Sequence, residues 1–285
     1  MKDRIYASKV LLFGEYTVMD GGSALSIPYS HFYGQWLQDL FERTNEWGPF
    51  LNYVSKKRSK LCTPVDLNFF RSKLEQGWNF SLNIPVGKGL GSSGAICAAF
   101  LDTFLQKPSV SIELQRDLAI IESFYHGKSS GLDALVSLIN EPIRSDRGEI
   151  AVVNMPGKIK DCIYLLDSNV SRSTRAYVDQ FQEKQKSLRS SSFADALAGL
   201  SSLAIEHFLA GNSVWQIVQE ISSLQLEHMD YLIPISIRPL WNLGLRGSKF
   251  RLKLCGAGGG GFMLVFAEVP LATRSLEGFR LTRLF

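Results

Sequence analysis

The segment Pro85-Val86-Gly87-Lys88-Gly89-Leu90-Gly91-Ser92-Ser93-Gly94-Ala95 constrains this chain more than any other. It follows Trp78 to Ile84, which alternates as a strand does, and precedes an Ala-rich stretch from Ser92 to Leu105 with helical character. Glycines let a backbone pass close to a ligand, and the free N–H groups at a helix start favour phosphate. The two serines add hydroxyls able to bind phosphate oxygens or a hard cation. Gly89-x-Gly91-x-x-Gly94 formally matches a dinucleotide fingerprint, but that fingerprint wants a βαβ unit with an acidic residue about 20 positions on at the end of the next strand, and here that region reads as helix or loop. GxxxxGK[ST] is absent, as are the HRD and DFG elements of protein kinases.

Cys255-Gly256-Ala257-Gly258-Gly259-Gly260-Gly261 separates two apolar runs within Arg251 to Phe266. Five glycines in six positions cost more chain entropy than a plain hairpin warrants, so another backbone or a ligand approaches closely there. We expect this run to close over the phosphate loop from the C-terminal half, as an architectural element.

Two further segments carry chemistry-bearing side chains. Lys9 enters the apolar run Lys9 to Phe13, where a desolvated ammonium needs a partner, although a strand-edge lysine alone also reads as snorkelling to solvent. Glu122 precedes His126-Gly127-Lys128-Ser129-Ser130-Gly131-Leu132-Asp133. By themselves, Glu122 reads as an exposed helix residue and Asp133 as a capping carboxylate.

The remaining pattern mixes strands and helices without strict βαβ alternation, which predicts an α+β fold. Strands are expected over Lys9 to Phe13 and Ser23 to Ile27, about a Met19-Asp20-Gly21-Gly22 turn. Residues 38 to 77 read as polar and helical, with Thr63-Pro64 a helix start. Ser111 is expected to cap a helix whose Leu114, Leu118, Ile121 and Phe124 share one face, and a short helix follows from Leu132. A strand over Glu149 to Asn154 runs into Pro156-Gly157, the expected boundary between domains 1–157 and 158–285. The second half reads as a strand over Asp161 to Asp167, then helices from Ser173, over 192–210, 213–230 and 235–245, then the glycine-interrupted strand pair.

With 285 residues, 45% hydrophobic, the chain can bury a large core. A net charge of +4 makes no case for nucleic acid, and the cluster Lys56, Lys57, Arg58 and Lys60 reads as a solvated helix end. Cys62, Cys97, Cys162 and Cys255 form no CxxC pair and read as reduced packing residues. The apolar run Val10 to Phe13 is too short for a secretory leader, and no stretch is long enough to span a bilayer. A cytoplasmic protein without membrane or nucleic-acid partners is expected. Val, Phe and Tyr on edge strands leave room for a homodimer.

Taken in order, Lys9-Val10-Leu11-Leu12-Phe13-Gly14-Glu15, the Pro-x3-Gly-Leu-Gly-Ser-Ser loop and Gly256-Ala257-Gly258-Gly259-Gly260-Gly261 resemble the three motifs of the GHMP kinase superfamily and span almost the whole chain. Its mevalonate kinase branch is most similar, through the eleven-residue spacing of Glu122 and Asp133, the His126 to Asp133 run, and Val170-Ser171-Arg172-Ser173-Thr174. The resemblance implies an N-terminal domain like ribosomal protein S5 domain 2, a ferredoxin-like C-terminal domain, and transfer of phosphate from ATP, with Mg²⁺, to the primary hydroxyl of mevalonate in isoprenoid precursor synthesis. Phosphomevalonate as substrate, or a silent ATP-binding sensor, are the alternatives.

It further implies Asp133 and Lys9 as catalytic, Lys88, Gly89, Leu90, Gly91, Ser92, Ser93 and Gly94 around ATP, and Ser93 and Glu122 on the metal. Glu15, Tyr16, Arg172, Thr174, Gly258 and Gly259 would face the substrate, with Arg172 first choice for its carboxylate and Lys88 second. Tyr16 stands where this branch commonly has His, and Gly94 where it commonly has Ala.

Overall fold

The computed structural model describes residues 1–38, 47–171, 192–247, 249–271 and 275–285. Two antiparallel sheets, each backed by helices, organise them into an α+β fold.

The first sheet is built on the apolar strand β1 (Ile5–Phe13) and the long strand β2 (Ala24–Gln38), which pair antiparallel across most of their length. The opposite edge of β2 is shared. Its end takes β3 (Trp78–Leu82) and its start takes β4 (Ile143–Asp146), which continues into β5 (Glu149–Val152). Lys9 lies opposite Pro28, a residue with no N–H to give, and Lys9 donates its own N–H to the Leu90 carbonyl at 2.9 Å. The phosphate loop is thereby tied to the middle of β1.

Helices α3 (Ser92–Asp102) and α5 (Leu132–Ile139) cover this sheet, and α4 (Ile112–His126) packs on both of them. α3 has almost no polar face because it is buried from Ser93 to Asp102. Ser111 caps α4 by accepting from the Leu114 N–H, as expected. A Cβ on Gly94 would stand 2.9 Å from the Ala134 nitrogen and 3.0 Å from the Asp133 carbonyl carbon. Glycine at that position lets α3 and α5 approach at the point where Asp133 is carried.

Several expectations need correction. The stretch read as polar and helical contains α1 (Trp47–Lys57) and α2 (Leu67–Glu75), and both are amphipathic, burying Trp47, Phe50, Leu51, Val54, Leu67 and Phe70. α2 starts three residues later than Thr63-Pro64, because the Asp66 carboxylate accepts from the Asn68 and Phe69 N–H groups. Cys62 is exposed, so it is no packing residue, whereas Cys97, Cys162 and Cys255 are buried. The strand β4 went unread because its four residues, Ile-Arg-Ser-Asp, carry two charges.

The second sheet has the order β7-β8-β6-β10-β9, from β6 (Cys162–Asp167), β7 (Arg251–Leu254), β8 (Phe262–Ala267), β9 (Ser275–Leu276) and β10 (Phe279–Arg283). β9 and β10 were not anticipated, their sequence being short and charged. Helices α6 (Ser192–Leu209), α7 (Trp215–His228) and α8 (Arg238–Arg246) complete this half, with α7 and α8 on β7 and α6 reaching β1 and β2. The helix expected from Ser173 lies outside the described residues. Among those described, no helix is long and apolar enough to cross a membrane.

The sheets meet through side chains as well as core. Phe13 packs against Phe266 and Phe208, with ring centroids 5.9 and 6.1 Å apart. Beside them, Lys253 of β7 forms a fully buried ion pair with Glu15 just past β1. Burial pushes the Glu15 carboxyl up, and the Lys253 ammonium opposes that rise.

Two substitutions test this packing. Gly94→Ala should destabilise by about 1–3 kcal/mol in urea unfolding through overpacking, where Gly→Ala inside an ordinary helix stabilises by up to about 1 kcal/mol. A more stable variant would mean that α3 and α5 are not pressed together there. Lys253→Met should cost about 3–5 kcal/mol by leaving Glu15 buried and uncompensated, with much of that loss recovered when Glu15→Gln is added.

Candidate active site

The phosphate loop, the end of α4, the start of α5 and the glycine run wall a cleft of about 740 Å³. Gly91 begins α3 in a left-handed conformation (φ 79°), and a Cβ there would stand 2.9 Å from Lys9 Cγ. The first turn of α3, with its unspent N–H groups, therefore sits directly over the Lys9 stem.

Lys9 does not snorkel. It is 4% exposed, and its Nζ meets Asp133 Oδ2 at 2.9 Å. Asp133 lies in the first turn of α5, but the helix is entered through Gly131 without any side-chain cap, so its carboxylate is turned to the lysine instead. The Asp133 side chain stays 36% exposed and lines the cleft, which leaves it open to a ligand.

Glu122 is no exposed helix residue either, at 2% exposure. Ser93 donates to its Oε1 at 3.1 Å, and Ser129 donates to its Oε2. Burial, then the charge of Asp133, pushes the Glu122 carboxyl up to about 7, against the two hydroxyls and Lys9. His126 places Nε2 2.8 Å from Ser93 Oγ. Sequence reasoning assigned no role to His126 or Ser129. For His126 the signal was its position, four residues after Glu122 and so on the same face of α4; Ser129 lies beyond the helix end, where no such spacing applies.

Ser93 and Glu122 fit a hard divalent cation. Their oxygens stand 3.1 Å apart, close to the roughly 3 Å expected between adjacent ligands on bonds of about 2.1 Å. Among the described residues no group of three or more His, Cys, Asp or Glu gathers to hold a metal. That suits a cation completed by phosphate oxygens and water better than a caged one.

Of the residues anticipated from sequence, Lys9, Gly89, Gly91, Ser92, Ser93, Glu122 and Asp133 come together on this cleft. Others are spent elsewhere. Lys88 turns its Nζ to Asp167 at 2.7 Å, while its carbonyl accepts from the Phe262 N–H at 3.1 Å. A Cβ on Gly261 (φ 71°) would stand 2.3 Å from that carbonyl, which is the close approach that the glycine run required. Leu90 is core, and Gly94 is taken up by the α3–α5 contact.

Glu15 is held by Lys253, and the Tyr16 hydroxyl donates to the Ala257 carbonyl, so Tyr16 fixes the glycine run from behind. Gly258 and Gly259 pack on Leu232, leaving Gly256 and Ala257 as the part of the run on the cleft. Arg172 and Thr174 lie outside the described residues.

Comparison with known proteins bears on the fold. Residues 53–141 match the family model for the GHMP kinases N terminal domain. The chain is 27% identical over 225 residues to a mevalonate kinase of Arabidopsis thaliana, an alignment covering 64% of this chain and 53% of that protein. Among solved structures, L. major mevalonate kinase in complex with R-mevalonate superposes with a TM-score of 0.61 at 18% identity, covering 94% of this chain and 87% of that one. Streptococcus pneumoniae phosphomevalonate kinase in complex with phosphomevalonate and AMPPNP superposes over the full length of both chains with a TM-score of 0.69 at 16% identity. The chain thus carries a GHMP kinase N-terminal domain and has the fold of the GHMP kinases.

Proposed function

We propose that this chain transfers the γ-phosphoryl group of ATP to the primary hydroxyl of mevalonate. The observation that carries the reading is the Lys9–Asp133 pair, 2.9 Å apart at the edge of a cleft walled by a glycine-serine loop and a helix start. The loop and the first turn of α3 offer N–H groups to the phosphates of ATP. Phosphoryl transfer passes through a loose transition state, so positioning and charge neutralisation dominate.

The alcohol oxygen attacks the γ-phosphorus, the bond to the bridging oxygen of ADP breaks, and the alcohol proton passes to Asp133. Lys9 holds Asp133 in an ion pair and orients it towards the cleft. Ser93 and Glu122 would hold Mg²⁺, which neutralises charge on the transferred group. Lys88, bound to Asp167, is assigned the role of holding the loop closed, and the substrate carboxylate is assigned to Arg172, whose planar fork suits it.

The substrate choice rests on the Arabidopsis relative and on the charge of the cleft. Its titratable lining among the described residues is Lys9, Glu122, Tyr125, His126 and Asp133. Lys9 already faces a carboxylate, so these residues supply no cationic cluster for a second phosphate.

Steady-state ADP release with Mg²⁺-ATP against mevalonate, phosphomevalonate, homoserine and galactose tests this. Saturable activity with mevalonate alone is expected. Activity with phosphomevalonate alone would overturn the substrate, and ATP binding with no release on any alcohol would overturn the transfer itself. Asp133→Ala should lower kcat by at least about a hundredfold with ATP still bound. Lys9→Met should do the same, and a rise confined to the KM for ATP would reassign Lys9 to the nucleotide.

A further inference from the structure

Ser93 has one hydroxyl proton and two partners placed to receive it, Glu122 Oε1 at 3.1 Å and His126 Nε2 at 2.8 Å. An ionised carboxylate only accepts, whereas an imidazole nitrogen does either, depending on its tautomer. With the Ser93 proton on Glu122, Nε2 must carry a hydrogen and donate to Ser93 Oγ. A cation seated between Ser93 and Glu122 removes that option, because both oxygens must then turn lone pairs towards it. The Ser93 proton has to point elsewhere, and Nε2 of His126 is in place to accept it.

The geometry holds His126 to this task. Glu122 and His126 are one helical turn apart on α4 and face Ser93 together. The helix ends at His126, where Gly127 closes the last turn by donating to the Ser123 carbonyl. Glu122 is fixed independently on its other oxygen by Ser129, whose Oγ also accepts from the Gly131 N–H at 3.0 Å. The carboxylate therefore stays put while the hydroxyl reorients.

We propose that His126 is a positioning residue for the divalent cation: its unprotonated Nε2 accepts the Ser93 hydroxyl proton and so aims the Ser93 lone pairs at the metal. The change takes the imidazole from its Nε2–H to its Nδ1–H tautomer, with no change in net charge. This rests on the reading of Ser93 and Glu122 as the cation site.

The test is Mn²⁺ binding, followed by electron paramagnetic resonance, to the protein with a non-hydrolysable ATP analogue. His126→Phe can neither donate nor accept, and should weaken Mn²⁺ about tenfold, as loss of a ligand-orienting partner does. His126→Gln keeps an amide able to accept and should recover most of that loss. In turnover, the Mg²⁺ concentration for half-maximal rate should rise while the KM for the alcohol holds.

Wild-type Mn²⁺ affinity in His126→Phe would overturn the proposal, as would Gln proving no better than Phe when both melt like wild type. Should the Phe variant not fold, His126→Ala makes the same removal and carries the same expectation. Glu122→Gln separates the two levels. If it loses Mn²⁺ while His126→Phe keeps it, the His126 role alone falls; if it binds normally, the cation site falls and this inference with it.

Discussion

A lysine ammonium taken out of water must be met by a carboxylate, and much of this site follows from that demand on Lys9. β1 carries the lysine into the core, and its backbone N–H donates to the Leu90 carbonyl. Gly91 then rests on the lysine stem, and Gly94 lets α5 come near enough to bring Asp133 to the ammonium. The glycine-serine loop and the Lys9–Asp133 pair are thus positioned by one buried charge and two glycines without side chains in the way.

The other half of the site is closed by contacts between the two sheets. Lys253 with Glu15, Tyr16 with the Ala257 carbonyl, and Lys88 with Asp167 and the Phe262 N–H each join an N-terminal element to the C-terminal sheet. Buried ion pairs add little over apolar packing of the same volume, so we read the Lys253–Glu15 pair as setting register between the sheets rather than holding them together. The apolar work falls to Phe13 against Phe266 and Phe208. Because Lys88 is gripped at both its carbonyl and its ammonium, the glycine-serine loop is anchored to the C-terminal half.

What the sequence made legible was what composition forces. A glycine-serine loop before an Ala-rich helix and five glycines between apolar strands have few conformations open to them, and both are where they were expected. Ser111 also declared itself as a cap. Illegible were features set by tertiary contact. Thr63-Pro64 reads as a helix start, but Asp117 takes the Cys62 and Thr63 N–H groups and the helix begins only after Asp66. Glu15 and Tyr16 sit beside the lysine strand in sequence, yet their partners are over two hundred residues away, so nothing local distinguished positioning from substrate contact. Lys253 did carry a signal. That signal was only partial, because β7 reads Arg-Leu-Lys-Leu, an alternation suited to a half-exposed strand, whereas all four residues are buried.

The central claim is that the cleft moves a phosphoryl group from ATP to a carbon-bound hydroxyl, and ³¹P NMR of the reaction mixture reads that directly. With Mg²⁺-ATP and mevalonate, the account predicts a new phosphomonoester resonance split by a methylene group, growing in step with ADP. Growth of inorganic phosphate in its place, or a spectrum that stays that of ATP, would contradict it.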